Sequence, residues 1–411
     1  MMQVGIEAIN IYAGAAIIDV MALFKTRNLN VQRFDNLMMK TKSVGLPCED
    51  PVTNGVNAAK PVVDGLSEAE RLNIRLLIVS TESGLDFGKS LGCYIHEYLG
   101  LSRNCRVFEV KQACYGGTAA LAMASAFVMS GEMPGAKALV ISTDVARTAI
   151  LETYAEPSQA TGAAALLVGD RPRILALDFG ATGCHSYEVM DTCRPQPETE
   201  VGNPDLSLLS YLDCLEKSYT RYAEKIEGAD FRRTFDYLCF HTPFPGMVKG
   251  GHHKMLRDLC KCPAKEIRAD FEKRVLPSLN YCSRVGNVYG ASVFLALCSL
   301  IDSGKIDAPR RVGLFSYGSG CSAEFYSGVV SPKSAEVLWR MGIEAHLSDR
   351  LILDMDGYEN LIAQNALCRF GIKNRKVETA GFRKIYEATM DGKGRLILDE
   401  VKEFHRKYRW S

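Results

Sequence analysis

The sequence lacks an excess of charge of either sign. Its 411 residues contain 49 Lys and Arg against 48 Asp and Glu, which gives a formal net charge of +1. Nucleic-acid-binding proteins normally carry a basic excess, and disordered chains combine high net charge with low hydropathy. The balanced charge therefore predicts a protein that does not bind nucleic acid. Because 47% of the residues are hydrophobic, we also expect a folded chain with a sizeable core.

Membrane-spanning and metal-binding motifs are also missing. The most apolar stretch, residues 117–130, is too short to cross a bilayer. The start, MMQVGIEAINIYAG, has no basic region followed by an apolar core. The 14 cysteines form no CxxC pair, and Cys260-Lys261-Cys262 has no partner at a zinc-finger spacing. We therefore expect no signal peptide, membrane or bound metal, and a cytoplasmic protein whose thiols are mostly free.

Apolar β-branched runs alternate with amphipathic runs, a pattern typical of α/β proteins. The predicted strands span 75–80, 106–110, 138–142, 163–168, 237–240 and 312–316, and the predicted helices span 88–99, 210–225, 247–259 and 287–303. Two halves share the order strand, polar turn, helix. We predict an N-terminal half over 1–170, a C-terminal half over 171–330 and a mixed extension over 331–411, with 191–206 as an inserted surface segment.

Cys114 lies in VKQACYGGT, between a predicted strand and a helix of small residues. A cysteine at a helix N-terminus meets unpaired backbone N–H groups and the positive end of the helix dipole. Both favour the thiolate, which is the reactive nucleophile. The alternative is an unreactive core cysteine, which is the usual state of a buried thiol.

Two polar residues directly follow predicted strands and occupy parallel positions in the two halves. His241 follows the strand 237–240 and precedes Thr242-Pro243, so it is held rigidly and can hydrogen-bond a thioester or ketone oxygen. Glu82 follows the strand 75–80. Beside a thiolate in a closed pocket, a carboxylate has a raised pKa and can act as a general base. The alternatives are a histidine bonded to backbone and a solvated carboxylate.

Two further turns contain groups that can orient a substrate. Asn287 lies in RVGNVYGAS, where it either caps a helix or orients a histidine or a carbonyl. The turn SYGSG, which includes Ser319, ends the last predicted strand. Its backbone N–H groups and that of Cys114 would form an oxyanion hole, although turns are commonly built from the same residues.

Taken together, Cys114, His241, Asn287 and the SYGSG turn resemble the thiolase superfamily. With Glu82 added, the segments ACYGGTAA, FHTPF and RVGN resemble 3-hydroxy-3-methylglutaryl-coenzyme A synthases. The resemblance implies a five-layered αβαβα fold of two similar halves. It further implies that Cys114 is acylated, that Glu82 is the acid/base and that His241 binds the acceptor, with Asn287 and Ser319 in support.

The sequence is most similar to the synthase homologues of polyketide β-branching cassettes. The segments CEDPVTNGVNAAKP, SGLDFGKSLGCYIHEYLGL, FHTPFPGMVKGGH and EFHRKYRW carry this resemblance, while the pocket-bordering segment 147–156 is shorter than in those homologues. It implies a homodimeric acyltransferase whose substrates arrive on the phosphopantetheine arms of acyl carrier proteins. Acetyl passes from a donor carrier protein to Cys114 and condenses with the β-ketone of an acceptor polyketide, and hydrolysis then leaves a 3-hydroxy-3-carboxymethyl product. No bound cofactor is implied.

Three alternative functions stay open. The first is a hydroxymethylglutaryl-CoA synthase that uses free acetyl-CoA and acetoacetyl-CoA. The second is a decarboxylating ketoacyl synthase, in which loss of CO₂ creates the carbanion, so Glu82 would have no role. The third is an inactive carrier-protein scaffold, which the presence of Cys114, Glu82 and His241 argues against.

A basic patch is predicted at the entrance to the site, because carrier proteins are acidic and complementary charge steers association. The candidates are Arg33, Lys249, His252, His253 and Lys254. An ordinary solvated helix face is the alternative interpretation of the same residues.

Overall fold

A computed structural model describes residues 3–146, 150–153, 155–196, 199–366 and 370–411. Part of the segment 147–156 therefore lies outside the described residues. The strands are β1 Gly5–Tyr12, β2 Ala16–Asp19, β3 Thr41–Val44, β4 Ile74–Ser80, β5 Arg106–Val110, β6 Lys137–Asp144, β7 Gly162–Gly169, β8 Leu175–Ser186, β9 Thr192–Gln196, β10 Thr199–Gly202, β11 Tyr237–Phe240, β12 Arg310–Gly318, β13 Ser322–Val330, β14 Leu351–Leu353, β15 Arg375–Lys376, β16 Leu396–Lys402 and β17 His405–Trp410.

The α-helices are α1 Val20–Thr26, α2 Phe34–Leu37, α3 Pro51–Asp64, α4 Glu68–Leu72, α5 Leu91–Tyr98, α6 Gly116–Met129, α7 Pro204–Lys225, α8 Pro245–Asp258, α9 Ala264–Arg274, α10 Asn280–Val285, α11 Ser292–Ser303, α12 Pro332–Trp339, α13 Ile343–Ser348, α14 Met355–Asn365 and α15 Arg383–Thr389. Short 3₁₀ helices span Val31–Arg33, Leu276–Leu279, Tyr289–Ala291 and Thr379–Phe382.

Two sets of four strands have the same topology. In the first set, β1 pairs antiparallel with β7, β7 pairs antiparallel with β6, and β6 pairs parallel with β4. In the second set, β8, β13, β12 and β11 repeat this order and these directions. The strands β4 and β11 are therefore equivalent, and Glu82 and His241 follow them.

The main sheet has the order β11-β12-β13-β8-β1-β7-β6-β4-β5. The two strand sets meet where β1 pairs with β8 at only two positions, Gly5 with Ala176 and Ile6 with Leu175. All residues of β6 and β7 are buried. Strands covered on both faces have continuous apolar sequences of this kind.

Helices cover both strand sets on each face. The helix α3 packs on the outer face of the first set, and α7 packs on the outer face of the second. The helices α6 and α11 lie between the sets and share one hydrophobic core with both. A Cβ at Gly117 of α6 would lie 3.0 Å from the Phe294 ring of α11, so the glycine allows close packing. This arrangement confirms the predicted five-layered, thiolase-like α/β fold.

The chain beyond residue 330 contains both helices and strands. The strand β14 joins β2 and β3 in a small sheet, and β15, β16 and β17 form another. Asn57 of α3 exchanges two hydrogen bonds with the backbone of Leu396, at 2.8 and 3.1 Å, which docks the second sheet on α3. The predicted division at residues 170 and 330 stays a prediction.

Two features are absent from the described residues. No helix in this part of the chain is long and apolar enough to cross a membrane. No three His, Cys, Asp or Glu side chains among these residues are arranged to hold a metal ion. The cysteines that the structure describes are all free.

Candidate active site

Cys114 lies in a tight turn between β5 and α6. Ala113 has a φ of +43°, a left-handed conformation that residues other than glycine rarely adopt, so the surrounding structure must stabilise it. A Cβ added at Gly318, at the end of β12, would lie 2.6 Å from a backbone nitrogen of this turn. A Cβ at Gly117 would overlap the carbonyl oxygen of Gly290. The turn is therefore held between elements of both halves.

Glu82 contacts the nucleophile directly. The Cys114 thiol donates a hydrogen bond to the Glu82 carboxylate, with Sγ and Oε1 3.1 Å apart, and both side chains are half-buried. Their strands, β4 and β5, are parallel neighbours, and functional groups of such sheets collect where the strands end. The two residues therefore share one site, as the sequence predicts.

The expected thiolate is a point where the structure corrects the sequence analysis. Burial raises the pKa of Cys114 well above its usual value, and the negative charge of Glu82 raises it further. Desolvation and a neighbouring carboxylate both disfavour the thiolate, and here they outweigh the helix dipole. Cys114 therefore rests as a thiol, and a base must accept its proton when it attacks.

Asp144, at the end of β6, holds the loop that contains Glu82. Its Oδ1 accepts hydrogen bonds from the Glu82 backbone nitrogen at 2.7 Å, the Ser83 hydroxyl at 2.9 Å and the Thr81 hydroxyl at 3.1 Å. Burial and the charge of Glu82 raise the pKa of Asp144 to about 8. Asp144 was not among the predicted site residues, although it lies just after the predicted apolar strand 138–142.

The segment 191–206, predicted as a loop-rich inserted surface segment, is exposed at residues 195–196 and 201–205, but its described residues include two strands and reach the site. Strands β9 and β10 form a hairpin there that packs against the site. Asp191, which precedes the hairpin, is fully buried. Its carboxylate accepts hydrogen bonds from the Tyr317 hydroxyl at 2.5 Å and the Gly320 backbone nitrogen at 2.9 Å. These bonds attach the hairpin to the turn after β12.

Arg194 of β9 completes the surroundings of Glu82. Its Nη1 lies 3.0 Å from Glu82 Oε2, and its Nε lies 2.7 Å from Glu200 Oε2. The guanidinium also lies over the Tyr289 ring, 5.1 Å from the centroid. Arg194 was not among the predicted site residues, and the signal for it in the sequence is a lone arginine in residues 190–195, MDTCRP.

His241 is buried at the end of β11. Its backbone nitrogen donates a hydrogen bond to the Phe315 carbonyl at 2.7 Å, and its carbonyl accepts one from the Tyr211 hydroxyl at 2.9 Å. Burial lowers the pKa of the imidazole to about 3, so the ring is neutral near pH 7. Among the described residues, Nδ1 has no hydrogen-bond partner. A neutral imidazole can donate one hydrogen bond and accept another.

Asn287 and Ser319 lie in turns near the nucleophile. The Asn287 Oδ1 accepts hydrogen bonds from the Tyr289 backbone nitrogen at 2.9 Å and the Ser292 hydroxyl at 2.8 Å, so this oxygen caps a helix start. Within the part of the chain that the structure describes, its amide nitrogen bonds to no protein acceptor. Ser319 is half-buried in the turn whose Gly318 contacts the Cys114 turn. Their substrate-orienting roles stay predictions.

The predicted basic patch is smaller than the sequence suggests. His252 is buried and bonds to Asp270 at 2.7 Å, so it is not available to a partner. Lys254 pairs with Glu216 and also lies 3.5 Å from Asp258. His253 is half-buried, and its ring packs edge-on against a phenylalanine.

Two members of that patch stay accessible. Arg33 and Lys249 are both exposed, and Lys249 forms no ion pair within the described residues. Lys249 is in α8, and Arg33 immediately precedes α2. The first turn of α8 packs against α2, so the two basic residues lie on neighbouring elements.

Comparison with known proteins supports one assignment. Two family models match the chain, the N-terminal model of hydroxymethylglutaryl-coenzyme A synthase over residues 1–172 and the C-terminal model over 255–409. The chain is 54% identical over 419 residues, covering 100% of both chains, to the polyketide biosynthesis 3-hydroxy-3-methylglutaryl-ACP synthase PksG of Bacillus subtilis. It is 32% identical over 367 residues, 88% of this chain and 92% of the relative, to a hydroxymethylglutaryl-CoA synthase of Enterococcus faecalis.

A solved structure is similar over the whole chain. The crystal structure of the curacin biosynthetic pathway HMG synthase in complex with acetyl donor-ACP matches with a TM-score of 0.97 and 54% identity, covering 100% of both chains. The fold, the two matched models and the full-length identity lead to one conclusion. This chain belongs to the hydroxymethylglutaryl-coenzyme A synthase family.

Proposed function

We propose that this protein is the β-branching synthase of a polyketide pathway and that it acts on acyl carrier proteins. It would transfer acetyl from a donor carrier protein to Cys114 and condense it with the β-ketone of an acceptor carried by a second one. The observation that carries the proposal is the 3.1 Å contact between Cys114 Sγ and Glu82 Oε1. The full-length 54% identity to an ACP-dependent relative supports the choice of carrier.

In the first step, Cys114 Sγ attacks the thioester carbonyl of the donor. Glu82 Oε1 accepts the thiol proton, since it already accepts that hydrogen bond. The bond from carbon to Cys114 sulfur forms, and the bond from carbon to the phosphopantetheine sulfur breaks. Glu82 gives that proton to the departing phosphopantetheine thiolate, so that acetyl-Cys114 and an ionised Glu82 carboxylate result.

In the second step, the Glu82 carboxylate removes a proton from the acetyl methyl group. The resulting carbanion attacks the β-ketone carbon of the acceptor, and the ketone oxygen becomes an alkoxide. Neutral His241 donates a hydrogen bond to this oxygen, and backbone N–H groups of the Ser319 turn and of Cys114 stabilise the thioester enolate. Asn287 orients the acceptor. The alkoxide takes up the proton that Glu82 removed from the methyl group, which gives a tertiary alcohol and restores the Glu82 carboxylate.

In the third step, water hydrolyses the thioester to Cys114. The carbon–sulfur bond breaks, Cys114 regains a proton, and the product keeps a carboxymethyl branch beside the new hydroxyl. No redox change occurs in any step. A decarboxylating ketoacyl synthase would form its carbanion without a base and would leave Glu82 without a role.

Carrier proteins would dock beside α8. Lys249 and Arg33 supply the exposed basic side chains there, and electrostatic complementarity mainly accelerates association. Because His252 is buried and Lys254 is ion-paired, the proposed surface contains Lys249 and Arg33 alone of the predicted set.

A homodimer in the cytoplasm completes the proposal. The strand β5 ends the described main sheet, and an uncovered sheet edge can pair with another chain. Two large apolar side chains of the N-terminal half are also exposed, Phe87 at 95% and Met123 at 47%. The free cysteines fit a reducing compartment. Analytical ultracentrifugation tests the dimer, and a monomer at micromolar concentration would contradict it.

The experiment that tests the function compares carriers. The protein is incubated with acetyl-carrier protein or acetyl-CoA, and then with acetoacetyl-carrier protein or acetoacetyl-CoA, with product formation followed by mass spectrometry. We expect at least tenfold higher kcat/KM for the carrier-bound pair. Equal or higher kcat/KM for the coenzyme A pair would identify a hydroxymethylglutaryl-CoA synthase instead.

A further inference from the structure

We propose that Arg194 is a positioning residue for this reaction, and that the β9–β10 hairpin completes the acid/base site by bringing Arg194 to Glu82. The inference rests on the proposed function for the condensation step alone. Its geometry does not depend on which carrier delivers the substrate.

The two oxygens of the Glu82 carboxylate have different partners. Oε1 accepts the hydrogen bond from Cys114 at 3.1 Å, while Oε2 lies 3.0 Å from Arg194 Nη1. A carboxylate without a second contact rotates about its last bond. Because Arg194 holds Oε2, Oε1 keeps facing the sulfur to which the acetyl group will be attached.

Arg194 is itself fixed by two further contacts, and Gln159 links the two residues that make them. Its Nε bonds to Glu200 Oε2 at 2.7 Å, and Glu200 Oε1 accepts a hydrogen bond from Gln159 Nε2 at 3.0 Å. The Tyr289 ring lies under the guanidinium and donates its hydroxyl hydrogen to Gln159 Oε1 at 2.5 Å. The side chains form a closed ring that joins the hairpin to the Tyr289–Ala291 turn. Networks of this kind hold a group in position more firmly than single bonds do.

The charges around Glu82 give Arg194 a second effect. The titratable and charged groups that interact with Glu82 among the described residues are Cys114, Asp144, Arg194 and Tyr289, and Glu200 contacts Arg194 in turn. Arg194 is the cation of this group. A nearby cation favours an ionised carboxylate, and the general base must be ionised to remove a methyl proton.

The test uses Arg194→Met, Arg194→Lys and a matched control. In the control, Arg311→Met, the lost guanidinium pairs with Asp178 at 2.9 Å on another part of the sheet. Acetylation by a small acetyl thioester, condensation with acetoacetyl-carrier protein across a pH series, and thermal unfolding are measured for each. Iodoacetamide alkylation of Cys114 is also followed against pH.

We expect Arg194→Met to lower kcat for condensation by about 10- to 100-fold, and to lower acetylation less, since a thiol can also lose its proton to solvent. The acid limb of the condensation profile should move to higher pH by about one unit. Arg194→Lys should recover the pH profile but only part of kcat, because lysine keeps the charge and loses the planar pair of donors. In the control variant Arg311→Met, kcat for condensation, the acetylation rate and the acid limb of the pH profile should all be unchanged.

An unshifted acid limb in both Arg194 variants, with acetylation and condensation reduced equally, would overturn the inference and indicate a structural role. If Arg194→Met does not fold, acetylation, condensation across the pH series and Cys114 alkylation of Arg194→Lys and Glu200→Gln decide between a positioning role and a structural role. The alkylation profile separates this inference from the proposed function. The positive charge of Arg194 lowers the pKa of the Cys114 thiol. The midpoint of the alkylation profile should therefore rise in Arg194→Met even if no condensation occurs. An unchanged midpoint would refute the placement of Arg194 beside Glu82 and Cys114.

Discussion

Replacing the general base should make the nucleophile easier to ionise. In the structure the Glu82 carboxylate lies 3.1 Å from Cys114 Sγ and raises the pKa of the thiol. At that distance, two unit charges interact by about 1 kcal/mol in water and about 5 kcal/mol at an effective dielectric constant of about 20. Glu82→Gln should therefore lower the pKa of Cys114.

Alkylation of Cys114 by iodoacetamide measures this pKa. Rates are followed against pH, and the modified peptide is identified by mass spectrometry to separate Cys114 from the other cysteines. Glu324→Gln is the matched control, because that carboxylate accepts a hydrogen bond from the neighbouring Tyr115 hydroxyl at 2.7 Å. The midpoint should fall in Glu82→Gln and stay nearly constant in Glu324→Gln. An unchanged or higher midpoint in Glu82→Gln would refute the reasoning.

Three further predictions concern packing, association and pH. Gly117→Ala should destabilise the fold by about 1 to 3 kcal/mol in urea unfolding, because the new Cβ would overlap the Gly290 carbonyl oxygen; wild-type stability would contradict this. Lys249→Glu should reduce kcat/KM for carrier-bound substrates while sparing acetylation by a small thioester, and an equal loss of both would contradict the docking surface. Burial lowers the pKa of His241 and His346 to about 3, whereas unfolded imidazoles gain protons below about pH 6.5. Between these two pH values, each histidine should therefore reduce the free energy of unfolding by about 1.4 kcal/mol for every unit by which the pH falls. Urea unfolding at several pH values checks this, and His346→Gln should reduce the loss.

The strand pattern of the sequence predicted much of the site. Glu82 and His241 each follow a short apolar strand, and these strands are the equivalent β4 and β11 of the two halves. Cys114 lies where a third strand gives way to a helix of small residues. Polar residues at strand ends are readable from sequence, because strand periodicity itself locates the sheet edge where they collect.

The hairpin that contains Arg194 could not be predicted from a sequence pattern in the same way. Residues 191–202 have no alternating apolar pattern, and the contacts that order them, such as those of Asp191 and Arg194, reach residues over a hundred positions away. The protonation state of Cys114 also depends on burial and on Glu82, which only the fold brings together. The helix dipole, a local property, therefore predicted the wrong direction.

The burial of His252 was accessible from sequence. Val248, His252 and Met255 recur at helical spacing and form the buried stripe of α8. Residues three or four apart share a helix face, so His252 belonged to the apolar face, whereas Lys249 belonged to the exposed one. The prediction grouped these residues by charge and did not separate the faces.

The central claim is that Cys114 holds the acetyl group while Glu82 removes its proton. Peptide mass spectrometry after incubation with acetyl-carrier protein, before and after addition of acetoacetyl-carrier protein, tests it most directly. Wild-type protein should carry acetyl on Cys114 and lose it to product when the acceptor is added. Glu82→Ala should still become acetylated, because loss of the carboxylate lowers the pKa of the Cys114 thiol and solvent can take its proton, but it should keep the group. Cys114→Ser should not be acetylated. Acetyl on another residue, or Glu82→Ala that turns over like the wild type, would contradict the account.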